Sequence, residues 1–234
     1  NRTNRRSRSR LDPRLITAME AVESRTLLAA TNPAVIDVFI GYTATALATI
    51  GGSQQLMQEK ISRAMATLNM TMANSKVRAS VRLVGTMQTT YTENGPNNDE
   101  ADLAALTNLT DGKADDLTTA AAAAGADSIQ MITKNFGGGI TQGKYNVDGV
   151  YYINAGIINH EFGHSLGGGH LHGAGEDGNH ADPRSFEGTV TFGDRTFSGA
   201  LGGAGNWYSN PDVLWRGKAT GVAGTGPDAA NNAA

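Results

Sequence analysis

HEFGHSLGGGH, residues 160–170, sets three histidines, a glutamate and several glycines at a spacing that dictates both local fold and chemistry. His160 and His164 are four apart, so on a helix their imidazoles share one face and can grip a single ion. Glu161 directly follows the first histidine, where its carboxylate can reach a metal-bound water without being a ligand. Gly167 permits the sharp turn that ends the helix, because glycine takes positive φ without a Cβ penalty. That turn brings His170 back as a third ligand. Three neutral nitrogens leave a tetrahedral zinc one open position for water, the arrangement of catalytic sites rather than closed structural ones. In a chain with 5 His and 30 Gly the pattern is expected by chance on the order of once in a hundred thousand sequences. All five histidines fall between 160 and 180; His172 breaks the Gly167 spacing, and both it and His180 read as surface residues.

Working outward, GVYYINA (149–155) reads as a short strand leading into the metal helix, which runs from near Gly156 to Gly167. NFGGGITQGKYN (135–146) is a glycine-rich segment, and DSIQMITK (127–134) another strand. KADDLTTAAAAAGA (113–126) and DEADLAALTNL (99–109) look helical, the former through alanine propensity. The turn-rich ENGPNND (93–99) precedes them. From Val77, apolar Val77, Ala79, Val81 and Leu83 alternate with Arg78, Ser80 and Arg82, a strand with one solvated face. Met57, Ile61, Met65, Leu68 and Met72 fall on one face of a long amphipathic helix, and the methionines read as core packing. AVIDVFIGYT (34–43) is a buried strand. A strand, a long helix, further strands and the metal helix make an α/β sandwich with a mixed sheet. The glycine-rich remainder after His170 is expected to form a smaller, irregular lower part facing the metal.

At 234 residues the chain suffices for one well-buried domain. No run approaches the roughly 18 apolar residues of a membrane span. The net charge of −3 is uneven, with seven arginines crowded into the first 25 residues and an acidic body after them. That body argues against nucleic acid as a partner. With no cysteine, disulfides, thiolate-ligated zinc and a cysteine nucleophile are excluded. Residues 1–31 form a basic leader that partly resembles a secretory signal, interrupted by Glu20, Glu23 and Arg25; an export or processing leader is the preferred reading, with a basic arm for an anionic surface or a disordered tail as the alternatives. Residues 32–234 are expected to form one catalytic domain, with an upper part 32–169 and a lower part 170–234. The acidic stretches 111–116 and 175–183 hold oxygen donors and glycines as calcium loops do, without the EF-hand spacing; calcium is a secondary candidate and solvated loops the preferred reading.

The complete HExxHxxGxxH pattern resembles the signature of the metzincin clan of zinc endopeptidases. The order of VIDVFIGYT, a long helix, KVRASVRLVG and a glycine-rich segment before the metal helix is similar to that of bacterial adamalysin (reprolysin)-like metalloproteases. YSNPDV (208–213) and GKATGVAG (217–224) look like the C-terminal part of such domains. The resemblance implies a metzincin-like sandwich with a mixed, mostly parallel twisted sheet, long helices and a smaller C-terminal subdomain. It implies zinc on His160, His164 and His170, Glu161 as general base, and a secreted, monomeric enzyme acting on protein or peptide. By the same resemblance GGGITQG (137–143), with Gly139 and Ile140, would lie near the edge strand that aligns an extended substrate. Trp207 and Tyr208 would fall near the primed-side pocket wall, with Tyr208 a candidate to assist the oxyanion.

Three features depart from the clan. All seven methionines precede residue 132, and Ser198 and Ala200 stand in RTFSGA (195–200), where a Met-turn methionine and tyrosine are expected. Leu171 replaces the aspartate usual after the third histidine, and disulfides are impossible. The alternative to a working endopeptidase is therefore a weakly active or inactive metzincin-like zinc-binding module. A zinc hydrolase acting on small esters or amides is a third possibility.

Overall fold

The computed structural model describes residues 33–95, 98–134 and 138–166, and shorter stretches at 185–186, 189–191, 197–198, 208, 210, 212–215 and 218–219. The chain divides into two units, Asn1–Ala34 and Val35–Ala234; the elements below belong to the second, β1 beginning one residue earlier.

The apolar run at the start becomes β1 (Ala34–Tyr42) and the Met stripe becomes α2 (Gln54–Asn74), with the short α1 (Ala44–Thr49) between them. Thr43 and Ser53 cap the two helices, each side-chain oxygen accepting a backbone N–H of the first turn, from Ala46 and Leu56. All five residues of the predicted stripe are buried, and each contributes about 1.5–3 kcal/mol in the transfer of its side chain from water. β2 (Ala79–Gln88), α3 (Asp99–Thr107), α4 (Asp115–Ala123) and β3 (Ser128–Thr133) follow in the predicted order. The loop before α3 is pinned by Tyr91, whose hydroxyl donates to the buried Asp102 at 2.6 Å.

The sheet has five strands in the order β2-β1-β3-β5-β4, the last two being β4 (Gly139–Gln142) and β5 (Tyr145–Gly149). β1 and β3 pair in parallel, β3 and β5 likewise, and β4 runs antiparallel to β5, so the sheet is mixed. The fold is α/β. Strand alternation sends Phe39, Ile129, Met131 and Val147 into one core with Leu103, Leu106 and Leu117 of α3 and α4. Val38, Ile40, Tyr42 and Ile132 point the other way, into a core shared with α2 and α5 (Ile157–Ser165).

The segment before the metal helix differs from its sequence reading. Residues 150–155 form a 3-10 helix instead of a strand, and the strand lies upstream as β5. Gln142 pairs with Tyr145 across a two-residue turn in which Gly143 has φ 59°. A tight hairpin demands positive φ at its first central residue. Once the turn sits there, β5 is used up by Gly149 and Val150–Ala155 run on towards α5.

In the C-terminal part, β6 (Ser185–Phe186), β7 (Thr189–Thr191) and β8 (Phe197–Ser198) form a small antiparallel sheet, and β9 (Leu214–Trp215) pairs with β10 (Lys218–Ala219). Ser198 thus lies in a strand opposite Val190. Among the described residues no helix is long and apolar enough to cross a membrane.

Candidate metal centre

α5 carries His160, Glu161 and His164 over the β4–β5 end of the sheet. Its inner face is apolar where it meets α2, through Ile158 and Phe162, and polar where it meets β4 and β5. The helix is held from behind as well. Asn159 donates from its side chain to Thr71 of α2 at 2.9 Å, and its carbonyl oxygen accepts the Tyr208 hydroxyl at 3.0 Å.

The two imidazoles present Nε2 atoms 3.3 Å apart, with ring planes 76° to one another. Two such nitrogens do not face each other at this distance unless a proton or a cation lies between them. Two nitrogens bonded to one tetrahedral zinc at about 2.0–2.1 Å would be about 3.3–3.4 Å apart, so the spacing fits that ion. Nε2 coordination leaves the ring proton on Nδ1. The Glu161 carboxylate completes the group: the donor atoms of His160, Glu161 and His164 all lie within 4.8 Å of one another. Its Oε1 is 3.8 Å from His160 Nε2, longer than the spacing of two atoms on one ion, which suits a carboxylate beside a bound water. His170, Gly167, Leu171, His172, His180, Ala200 and Trp207 lie outside the described residues.

Glu161 is 2% exposed and is seated by residues that the motif does not contain. The Thr141 hydroxyl lies 2.5 Å from Glu161 Oε2 and 3.1 Å from the Glu161 carbonyl oxygen. The same hydroxyl is 2.7 Å from the side-chain oxygen of Asn146, which also faces the Ser165 hydroxyl at 2.9 Å. Gly139, the partner of Asp148 across the hairpin, makes room: a Cβ there would stand 2.5 Å from Glu161 Cγ and 2.7 Å from its carboxylate. Gly139 is thus against the Glu161 side chain, whereas Ile140 packs with the core on the opposite face.

Tyr208 differs from its expected place. It is 2% exposed, with its hydroxyl committed to Asn159 and its N–H donated to Ser75 Oγ at 2.6 Å, so it braces the metal helix from the core instead of lining an open pocket. In the 111–116 stretch the carboxylates serve the chain itself: Asp115 accepts from the Gly112 N–H, and Asp116 from Thr89, Thr90 and the Leu117 N–H. The 175–183 stretch lies outside the described residues. Among the described residues His160, Glu161 and His164 are the group of three that could hold a metal.

Asp148 was not singled out by its sequence context. It is fully buried on β5, and neither carboxylate oxygen has a hydrogen-bond partner among the described residues. Burial, and then the negative charge of Glu161, push its pKa well above the usual carboxylate range. The folded chain therefore keeps a proton that the unfolded chain has lost, so stability falls as pH rises above about 4 toward the raised folded value. In the zinc-free protein Asp148→Asn is expected to raise the melting temperature at pH 8, and to raise it less at pH 5. An equal gain at both pH values would show that Asp148 carries no such shift.

No family model matches the chain, and no curated protein matches it. Among solved structures, one described as "Structure of a chaperone-substrate complex" superposes with a TM-score of 0.56 and 17% identity over 80% of this chain. The chain spans 30% of the length of that one. At this identity the likeness concerns the fold alone, and it agrees with the α/β architecture described above.

Proposed function

We propose that the chain is a zinc-dependent endopeptidase of metzincin-like architecture, with His160, His164 and His170 as metal ligands and Glu161 as general base. The observation that carries this reading is the 3.3 Å approach of the two Nε2 atoms, with the Glu161 carboxylate beside them on the same helix. When bound, zinc would supply Lewis acidity towards a carbonyl oxygen and lower the pKa of a water towards 7. Glu161 Oε1, the oxygen not engaged by Thr141, takes the proton as water attacks and returns it to the leaving amine. The burial of Glu161 removes competing solvent and keeps the carboxylate in one place. Among the described residues β4 is the terminal strand of the sheet, and such an edge strand can pair with an extended peptide through backbone hydrogen bonds.

Zinc stoichiometry combined with a hydroxamate-inhibitable cleavage assay on a peptide library tests this reading. The expected result is one zinc per chain and hydroxamate-sensitive cleavage. Zinc without cleavage of any peptide would assign the chain to the non-turnover module. Hydrolysis of small esters or amides alone would assign it to a different class of zinc hydrolase.

A further inference from the structure

With Glu161 ionised, the polar contacts beneath α5 do not balance when the Asn146 oxygen faces Thr141. A hydroxyl has one proton. Thr141 would have to give it both to Asn146 Oδ1 at 2.7 Å and to Glu161 Oε2 at 2.5 Å. Whichever oxygen it missed would be left in a bare oxygen–oxygen contact. The Ser165 hydroxyl faces the same Asn146 oxygen at 2.9 Å, while among the described residues the amide nitrogen has a long contact of 3.4 Å to Ser128 Oγ. A half-turn of an asparagine amide exchanges oxygen and nitrogen, and only the hydrogen-bond inventory chooses between them.

Turning the amide gives each of these side-chain contacts a donor and an acceptor; the longer 3.1 Å approach of Thr141 Oγ1 to the Glu161 carbonyl oxygen is unaffected. The two Nδ2 protons then go to Thr141 Oγ1 and Ser165 Oγ, Oδ1 accepts from the Ser128 hydroxyl, and the Thr141 proton is free for Glu161. We propose that Asn146 and Thr141 form a directed relay, Asn146 Nδ2–H to Thr141 Oγ1 and Thr141 Oγ1–H to Glu161 Oε2, which fixes the carboxylate with Oε1 presented for proton transfer. Both are positioning residues, and the inference rests on Glu161 acting as the base. Because Thr141 belongs to the terminal strand β4, the same strand that would align a peptide also orients the base. Neither residue is in the histidine motif; the hairpin register, which sets Thr141 opposite Asn146, brings them together.

Two measurements test the relay. In isotope-labelled protein, the Asn146 side-chain amide protons are expected to show nuclear Overhauser effects to Thr141 and Ser165 side-chain protons, stronger than to those of Ser128. Effects chiefly to Ser128 would overturn the relay and favour a protonated Glu161 that donates to Thr141. In kinetics, Thr141→Val is expected to lower kcat about 10- to 100-fold, the range of a lost hydrogen bond to a charged group, with KM and zinc content nearly unchanged. Thr141→Ser should restore most of the loss, since it returns the hydroxyl. A Thr141→Val enzyme as fast as the parent would overturn the relay while leaving the endopeptidase reading intact. If the parent cleaves no peptide, that reading fails by itself and the Overhauser pattern still decides the relay.

Discussion

Replacing Glu161 by Gln is expected to lower kcat about 10²- to 10⁴-fold while zinc content and melting temperature stay close to the parent values. The size of the effect is that of removing a positioned general base. The isosteric amide can still accept the Thr141 proton through its oxygen, so the buried seat at 2% exposure stays filled. What is lost is the second oxygen, the one that lies 3.8 Å from His160 Nε2 and can exchange a proton with water. His160→Ala and His164→Ala should behave differently, losing activity together with the metal, because each removes one of the two nitrogens held at 3.3 Å. Peptide cleavage and zinc analysis on the three variants separate the roles. A Glu161→Gln protein that cleaves peptides as fast as the parent would rule out the mechanism, whatever its metal content.

The grouping of His160, Glu161 and His164 was legible in the sequence because it is local. Four-residue spacing on a helix determines that His160 and His164 share a face, and no tertiary contact is needed to know it. The same holds for the stripe from Met57 to Met72, whose period matches a helix, and for β1, whose apolar residues outnumber its polar ones. The polar seat of Glu161 was not legible. Asn146 and Asp148 alternate with Tyr145 and Val147, which in isolation reads as a strand with one solvated face. In the fold that face is covered by α5, so Asn146 and Asp148 are fully buried. Only the position of the Gly143 turn reveals it, since a hairpin shifted by one residue would turn both side chains away from Glu161. The apolar, aromatic 150–155 stretch suggested a strand by propensity alone, and the hairpin upstream overrode that preference. Tyr208 was placed by family resemblance near a pocket, whereas its hydroxyl is satisfied in the core by Asn159, a contact set by packing between segments far apart in sequence.

Gly139→Ala carries the second large expected effect, a fall in kcat of about 100-fold with zinc retained, although the substitution adds a single methyl group to a strand. The new Cβ would sit 2.5 Å from Glu161 Cγ, closer than non-bonded carbons approach, so one of the two must move. β4 is fixed by its pairing with β5, and Gly139 is in register with Asp148, so the strand has little freedom to retreat. The Glu161 side chain yields instead, and its carboxylate leaves both Thr141 and the place from which it reaches water. A displacement of about 1 Å in a catalytic group is enough for a loss of this order. Stability should fall by about 1–3 kcal/mol as well, the usual cost of overpacking a tight contact. Steric displacement is distinguished from a general weakening of the strand by a double-mutant cycle with Glu161→Ala, read by thermal melting. Alanine has no Cγ and vacates the space that the new Cβ needs, so Gly139→Ala should cost far less stability in that background than in the parent. Equal costs in both backgrounds would mean that the methyl group acts through the strand, and that the close approach of Gly139 to Glu161 does not govern the position of the base.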